Sequence, residues 1–155
     1  MSVEFRSVAD GDEVAFRELN EAWIAPIFGM EPEDYKILSD PVTHILGPGG
    51  HVLMALEDGT AVGCCALLAM GDGTFELSKM AVHESRRGAG LGRRLIEYAI
   101  THARGIGAKR LYLETSTKLP NAVHLYESTG FRHVPKGSVR DSPYRRSDVF
   151  MAMWL

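Results

Sequence analysis

Residues 87–92, Arg-Gly-Ala-Gly-Leu-Gly, carry glycines at alternate positions between a strand-like run, 75–82, and a helix-like run that starts at residue 93. Glycine lets the backbone come close to a ligand. The first turn of a helix adds N–H groups that have no partner within the helix, together with a partial positive charge. Both properties favour an anion, and phosphate above all. The segment therefore predicts a phosphate-binding loop.

The spacing of these glycines excludes the two most common phosphate loops. Arg93 stands where a dinucleotide-binding fingerprint needs its third glycine, and no Gly-Lys-Ser/Thr follows as in a P-loop. Counted from Arg87, the remaining pattern is Arg-x-x-Gly-x-Gly. The arginines at 86, 87, 93 and 94 fit a small anionic ligand, although a solvated helix start would use the same residues.

Two further motifs flank the loop. The segment before it reads Glu-Leu-Ser-Lys-Met-Ala-Val over residues 76–82, and the segment after it contains Asn121, Tyr126, Gly130 and Phe131. In this order the motifs resemble the GNAT superfamily of N-acetyltransferases, whose members carry Glu-Leu-x-x-Met/Leu-x-Val, the glycine loop, and then Asn, Tyr and Gly-Phe. Four residues separate Asn121 from Tyr126, one fewer than in the family pattern. The motifs cover about residues 70–135, and the two ends match mainly by the order of their elements.

The resemblance implies that acetyl-CoA is the co-substrate. The six histidines show neither a His-x-x-x-His spacing nor a triad-like pattern, so no metal is expected. The pantetheine arm of acetyl-CoA would lie on Met80, Ala81 and Val82, pairing with the first and last of these. Asn121 matches a residue that contacts the same ligand, although it could equally cap a helix. The pyrophosphate would lie on the backbone of Arg87, Gly88, Ala89, Gly90, Leu91, Gly92 and Arg93.

Acyl transfer to an amine needs a group that takes a proton from the ammonium form and a group that assists the departing thiolate. By resemblance, Tyr126 has the second role and also contacts the cofactor. Glu76 matches the position of a general base in some members, although a solvated glutamate at a strand start is an equal alternative. Glu114 and Thr115 are further candidates, because either could face the cleft depending on the register. The transfer would be direct, with both substrates bound together.

The expected acceptor is a primary amine of a small molecule or a peptide. In this fold it usually lies between the first helix pair and the loop before the last strand. Two arginines beside a tyrosine, at 144–146, could hold a carboxylate and favour an amino-acid-like amine, whereas a solvated loop is the simpler interpretation. The candidate contacts are Phe28, Tyr35, Thr115, Tyr144 and Arg145.

Two other functions could use the same glycines. A non-catalytic acyl-CoA-binding or sensor domain of the same fold would keep the loop without turnover, and the joint presence of Tyr126 and Glu76 argues against it. A nucleotide-binding domain is disfavoured by the missing third glycine and the missing lysine.

The composition is typical of one domain, residues 1–155, in a reducing cytoplasm. With 17 Lys and Arg against 20 Asp and Glu, the net charge of −3 indicates no nucleic-acid partner. Cys64 and Cys65 are neighbours in sequence, which suits neither a disulfide nor a metal site. No apolar run reaches the ~18 residues of a membrane span, and residues 1–10 lack the pattern of an export signal. The sequence leaves open whether the protein is a monomer or a homodimer.

The elements that must position these residues are a mixture of helices and strands. Asp10 would cap the first helix, with Glu13 completing a capping box, and Asp-Gly pairs at 58 and 72 predict an antiparallel meander over 52–82. We expect an α/β fold of the GNAT type, with a mixed, mostly antiparallel twisted sheet of about six or seven strands and about four flanking helices. A bulge in the first central strand would splay it from the second and open a cleft.

Overall fold

The fold is a seven-stranded sheet with helices on both faces, seen in a computed structural model that describes residues 2–155. The strands are β1 Val3–Ser7, β2 His51–Glu57, β3 Thr60–Gly71, β4 Thr74–Val82, β5 Arg110–Thr115, β6 Arg132–His133 and β7 Val149–Trp154. The helices are α1 Asp12–Ile27, α2 Pro32–Ser39, α3 Leu91–Gly105 and α4 Pro120–Ser128, with a π-helical turn at Val42–Leu46 and a 3-10 turn at Glu84–Arg86. The expected α/β architecture is confirmed.

The strands follow the order β1-β2-β3-β4-β5-β7-β6, and every neighbouring pair is antiparallel except β4 and β5. Both predicted hairpins are present. Asp58 and Gly59 have φ of 51° and 78°, and Asp72 and Gly73 have φ of 53° and 74°. These positive values are what a two-residue hairpin turn of the favoured twist requires, and Asp-Gly supplies them at little cost.

Two apolar layers hold the sheet between its helices. Leu53, Leu77 and Leu111 pack against α3, and Met54 and Ala66 pack with α1, α2 and the π-helical turn on the other face. Cys64 and Cys65 are both buried and free, and they face opposite layers because successive strand residues alternate. Burial raises the pKa of the Cys64 thiol to about 12.

The start of α1 differs from the prediction. Gly11, not Asp10, is the N-cap residue, and its φ of 94° places it in the left-handed region. The reason is that Asp12 reaches back from the first helical turn, accepting a hydrogen bond from the Ala9 N–H at 2.7 Å and binding Arg6 at 2.6 Å. A capping box occurs at α2 instead, between Glu31 and Asp34.

The sheet splays between its two central strands, as expected. β4 and β5 pair through three residue pairs at one end, the last of them Glu76 with Tyr112. Beyond that point β4 has a bulge, where its register with β3 shifts and Lys79 has a φ of 51°. A bulge bends its strand, so β4 turns away from β5 and leaves a gap that continues to Val82 and Thr115.

Residues 2–155 contain neither a helix that could span a membrane nor a cluster of metal-binding side chains. No helix there is long and apolar enough to cross a membrane. No group of three or more histidine, cysteine, aspartate or glutamate side chains could hold a metal ion in this part of the chain.

Candidate active site

A cleft of about 690 Å³ opens where β4 and β5 separate. One end is lined from the α1–α2 face of the sheet, by residues such as Trp23, Phe28 and Arg146. The other end is lined from the α3–α4 face, by residues such as Leu91 and Tyr126. The cleft therefore runs through the sheet, and two ligands could reach each other in it from opposite faces.

The glycine loop lies at the α3–α4 end of the cleft. Gly88 and Gly90 have φ of 79° and 81°, a conformation that favours glycine, and Gly90 is the N-cap of α3 without any side-chain cap. The helical ladder begins with the Arg94 N–H, which donates to Gly90 O at 3.2 Å. Among residues 2–155, no acceptor is found for the backbone N–H groups of residues 88–93. These free donors at a helix start fit a pyrophosphate.

The side chains around this loop differ in their access to the cleft. Arg87, Gly88, Gly90, Leu91, Gly92 and Arg93 line it, whereas Ala89 is exposed outside it. Arg93 donates through Nη2 to Ser128 Oγ at 2.7 Å, which ties the start of α3 to the end of α4. The predicted phosphate contacts thus lie together, with Ala89 contributing at most its backbone.

The β4 edge beyond the bulge faces the gap. The His83 N–H donates to Val62 O of β3 at 2.8 Å. Because backbone groups alternate in direction along a strand, the polar groups of Val82 and of Met80 point towards the gap. Ala81 is 3% exposed, with its side chain in the α1–α2 layer. An extended arm that carries amides could add to this edge as a strand does.

Tyr126 reaches the cleft from α4. Its ring packs edge-on against Phe131, with centroids 5.9 Å apart, and no hydrogen-bond partner for its hydroxyl is found among residues 2–155. Burial raises the pKa of Tyr126, so the hydroxyl stays protonated at neutral pH. Asn121 also lines the cleft. It does not cap α4, because the N-cap residue is Leu119, which removes that alternative.

Glu76 is buried, with 2% of its surface exposed, and lines the cleft at the base of the splay. The solvated alternative is therefore wrong. Arg140 Nη2 lies 2.5 Å from Oε1, but the pair lacks hydrogen-bond geometry, so Oε1 is an enclosed oxygen without a hydrogen bond. Burial raises the pKa of Glu76 to about 7, against the opposing effect of Arg140. A carboxyl with this pKa can act as a base at neutral pH.

The register of β5 separates its two candidates. Glu114 faces the same side as Glu76 and accepts hydrogen bonds from Tyr112 Oη at 3.1 Å, Arg140 Nε at 3.2 Å and Ser142 Oγ. Because it is held by three donors, it is less free to take a proton from a ligand than Glu76 is. Thr115 has the opposite orientation and lines the cleft on the α3–α4 side.

The acceptor candidates divide into two groups. Phe28 and Tyr144 line the α1–α2 end of the cleft. Tyr35 does not, because it is 59% exposed on the outer side of α2, whose buried positions are Asp34, Ile37 and Leu38. Arg145 is also exposed, and its backbone N–H donates to Glu31 Oε1 at 2.9 Å. We therefore give Tyr35 and Arg145 no part in the site.

A buried ionic cluster at this end was not predicted. Lys79 Nζ donates to Asp34 Oδ1 at 2.6 Å and to Tyr144 Oη at 2.9 Å. Arg146 binds the same carboxylate through both terminal nitrogens, at 2.6 and 2.7 Å. Burial alone would raise the pKa of Asp34, but the bonds from Arg146 and Lys79 outweigh burial and hold this pKa at about 2. One sequence signal exists: Asp34 precedes Ile37 and Leu38 by three and four residues, on the buried helix face.

Known proteins resemble this chain in sequence and in fold. The uncharacterized N-acetyltransferase YjgM of Escherichia coli K12 is 36% identical over 106 residues, 66% of this chain and 59% of that protein, so the chain spans less than two thirds of this relative. A GNAT-family acetyltransferase structure from Staphylococcus aureus Mu50 matches with a TM-score of 0.89 at 19% identity, over 99% of both chains. YncA of Salmonella typhimurium, solved with acetyl-CoA, matches with a TM-score of 0.75 at 24% identity, over 100% of this chain and 95% of that one. The model of the Acetyltransferase (GNAT) family matches residues 14–131, and the chain therefore belongs to this family.

Proposed function

We propose that this protein transfers an acetyl group directly from acetyl-CoA to a primary amine of a small molecule or a peptide. The observation that carries the proposal is the single cleft that brings together the free amides of residues 88–93, the Tyr126 hydroxyl and the buried Glu76 carboxyl. The acetyl-CoA held by YncA and the name of the Escherichia coli relative support it. The free, buried thiols of Cys64 and Cys65 fit a reducing compartment, and we place the activity in the cytoplasm.

The donor belongs at the α3–α4 end of the cleft. Acetyl-CoA, when bound, supplies an acetyl group activated as a thioester. The amides of residues 88–93 would bind its pyrophosphate, and the backbone of Met80 and Val82 would pair with its pantetheine arm. Asn121 and Tyr126 would contact it from α4, since both line the same end of the cleft.

The acceptor belongs at the α1–α2 end, where Phe28 and Tyr144 would contact it. Glu76 would take the proton of the incoming ammonium group on its carboxylate, directly or through one water molecule. Tyr126, which stays protonated at neutral pH, would give a proton from its hydroxyl to the departing sulfur. Because the two ends of the cleft meet within the sheet, no covalent enzyme intermediate is needed.

The first test is ligand stabilisation followed by an amine screen. Acetyl-CoA at 100 times its dissociation constant should add about 2.7 kcal/mol to the free energy of unfolding, and CoA should act similarly, whereas ATP and NAD should not. A panel of amines would then be screened for the release of free thiol. Stabilisation by acetyl-CoA without thiol release from any amine would identify a binding or sensor domain instead. Absence of stabilisation by acetyl-CoA would overturn the proposal.

A second prediction concerns the glycine loop. Gly90→Val should abolish or strongly weaken acetyl-CoA binding, because a branched side chain does not tolerate a φ of 81° and would turn the loop amides away from the phosphates. Gly107→Val is the matched control, since Gly107 has a φ of 82° and lies beyond the other end of α3. At both positions a Cβ would meet open space, so backbone strain is the shared effect of the two substitutions. Calorimetry should show comparable losses of stability for both variants but loss of affinity for Gly90→Val alone.

A further inference from the structure

Arg140 connects two buried carboxyl groups from outside the cleft. It lies in the segment between β6 and β7, with Nη2 2.5 Å from Glu76 Oε1 and Nε 3.2 Å from Glu114 Oε2. Arg140 does not line the cleft but borders a separate small cavity, together with Thr74 and Arg110. The guanidinium therefore contacts Glu76 without lining the space in which a ligand would lie.

The two carboxyl groups that Arg140 contacts have different surroundings. Glu114 also accepts hydrogen bonds from Tyr112 and Ser142, whereas no hydrogen bond to Glu76 is found among residues 2–155. Only Oε1 of Glu76 is enclosed without a partner, so we assign Oε2 to the cleft. The charge of Arg140 thus lies against one oxygen of Glu76, and the other oxygen is left free for a ligand proton.

Other charged and titratable groups also face Glu76, but none of the cations among them replaces Arg140. Lys79 is engaged with Asp34 and Tyr144, at 2.6 and 2.9 Å. The carboxyl groups of Glu114 and Glu33 add negative charge, which raises the pKa of Glu76. The complete set comprises Arg140 from the β6–β7 segment, Lys79 from β4, Tyr112 and Glu114 from β5, Glu33 from α2 and Tyr144 from the β6–β7 segment.

We propose that Arg140 is a positioning residue, which favours the carboxylate form of Glu76 over the protonated form and directs its free oxygen into the cleft. This inference rests on the proposed function of Glu76 as the base. A cation beside a carboxyl group stabilises its charged form, and burial strengthens the effect because water screens it little. Without Arg140, two carboxyl groups would face each other in a buried space, and Glu76 would hold its proton to higher pH.

The test is the pH dependence of kcat/KM in Arg140→Gln. The wild-type rate should rise with pH through a midpoint set by Glu76. Loss of a cation within about 4 Å should raise that midpoint by about one unit or more. The rate at pH 7 should then fall by about fivefold or more and should recover at high pH. Arg140→Lys retains the charge and should keep the wild-type midpoint. An unshifted midpoint in folded Arg140→Gln would overturn the inference.

Asp148→Asn is the control for loosening of the same segment. Asp148 accepts from the Thr117 N–H and Oγ1 at 2.8 and 2.9 Å and has no contact with Glu76, so its loss should leave the midpoint unchanged. Glu76→Gln separates the two proposals. If it removes the acid limb while Arg140→Gln does not move it, the inference about Arg140 fails alone. If Glu76→Gln keeps the limb, Glu76 is not the base and both fail.

A spectroscopic titration gives an answer that does not depend on turnover. With ¹³C-labelled glutamate side chains, the carboxyl resonance absent from Glu76→Gln is assigned to Glu76, and its titration midpoint should rise in Arg140→Gln. Should that variant fail to fold, Arg140→Gln/Glu114→Gln removes both charges of the pair. Its midpoint should lie above that of Glu114→Gln alone, and equal midpoints would contradict the inference.

Discussion

Glu76→Gln is expected to lower kcat/KM by about 100-fold or more at neutral pH, with acetyl-CoA affinity close to that of the wild type. The amide cannot take the ammonium proton, and the binding groups for the donor lie elsewhere in the cleft. The pKa of Glu76, about 7, sets the sign of the wild-type profile: activity falls as pH drops through this value. The variant should lack that step and recover rate at high pH, where the amine loses its proton unaided. Steady-state kinetics across pH would measure both.

Stability provides a check on the Glu76 variant. Between pH 4.5, the ordinary pKa of a glutamate, and about pH 7, Glu76 binds a proton in the folded protein but not in the unfolded chain. The free energy of unfolding therefore falls as pH rises through this range, because Glu76 must lose its proton inside the folded protein. Glutamine carries no charge, so this cost is absent from the variant. Above pH 7 the melting temperature of Glu76→Gln should therefore equal or exceed that of the wild type. Glu114→Gln is the matched carboxyl variant and should lose less activity. Wild-type rates in Glu76→Gln at every pH would assign the base to another group or to solvent.

Tyr126→Phe is expected to lower kcat by about 100-fold while leaving the acetyl-CoA dissociation constant nearly unchanged. The substitution removes a hydroxyl for which no partner is found among residues 2–155 and keeps the ring that packs on Phe131, so stability should change little. If the hydroxyl protonates the departing sulfur, a thioester whose thiol has a lower pKa should lose less rate than acetyl-CoA does. Rates with both donors would measure this difference.

Tyr144→Phe is the control for a tyrosine hydroxyl at the other end of the cleft. It removes the oxygen that accepts from Lys79 at 2.9 Å, so it should lower stability without changing the ratio of rates with the two donors. Equal losses for both donors in Tyr126→Phe, or no loss, would show that Tyr126 fills space and that sulfur departure needs no acid.

The parts of the fold that were predictable are those with local causes. The two Asp-Gly pairs determined the hairpins, because the backbone angles that those turns need come from the residues themselves. The cap of α1 was predicted wrongly, since Asp10 and Asp12 are both good acceptors and the sequence alone does not show that Asp12 is drawn back by Arg6. Such a choice depends on a strand lying beside the helix start.

The candidate site also has one part that local sequence predicts and another part that depends on distant contacts. Its donor side follows from motifs within residues 76–131, where each residue is placed by a neighbouring strand, loop or helix. Its acceptor side depends on contacts between distant segments, such as Asp34 with Arg146, which are 112 residues apart. For this reason the prediction was right for Phe28 and Tyr144, which line the cleft, but wrong for Tyr35 and Arg145, which do not. Arg146 lines the cleft although it was not among the predicted contacts. Periodicity predicts which helix face is buried but not which distant charge meets it.

The three-pair joint between β4 and β5 has a mechanical consequence. Among residues 2–155, the half-sheet β1–β4 pairs with the half-sheet β5–β7–β6 at residues 74–76 and 110–112, and the N–H groups of Lys109 and Arg110 also donate to Gly73 O beside these pairs. A small rotation of one half about this joint would change the width of the gap least beside Glu76, which is at the joint, and most near Val82 and Thr115, which are farthest from it. A ligand that contacts both the β4 edge and α4 would limit the rotation of one half relative to the other. The far end of the gap, where a long ligand must enter and leave, could therefore open with little change in the positions of the groups around Glu76.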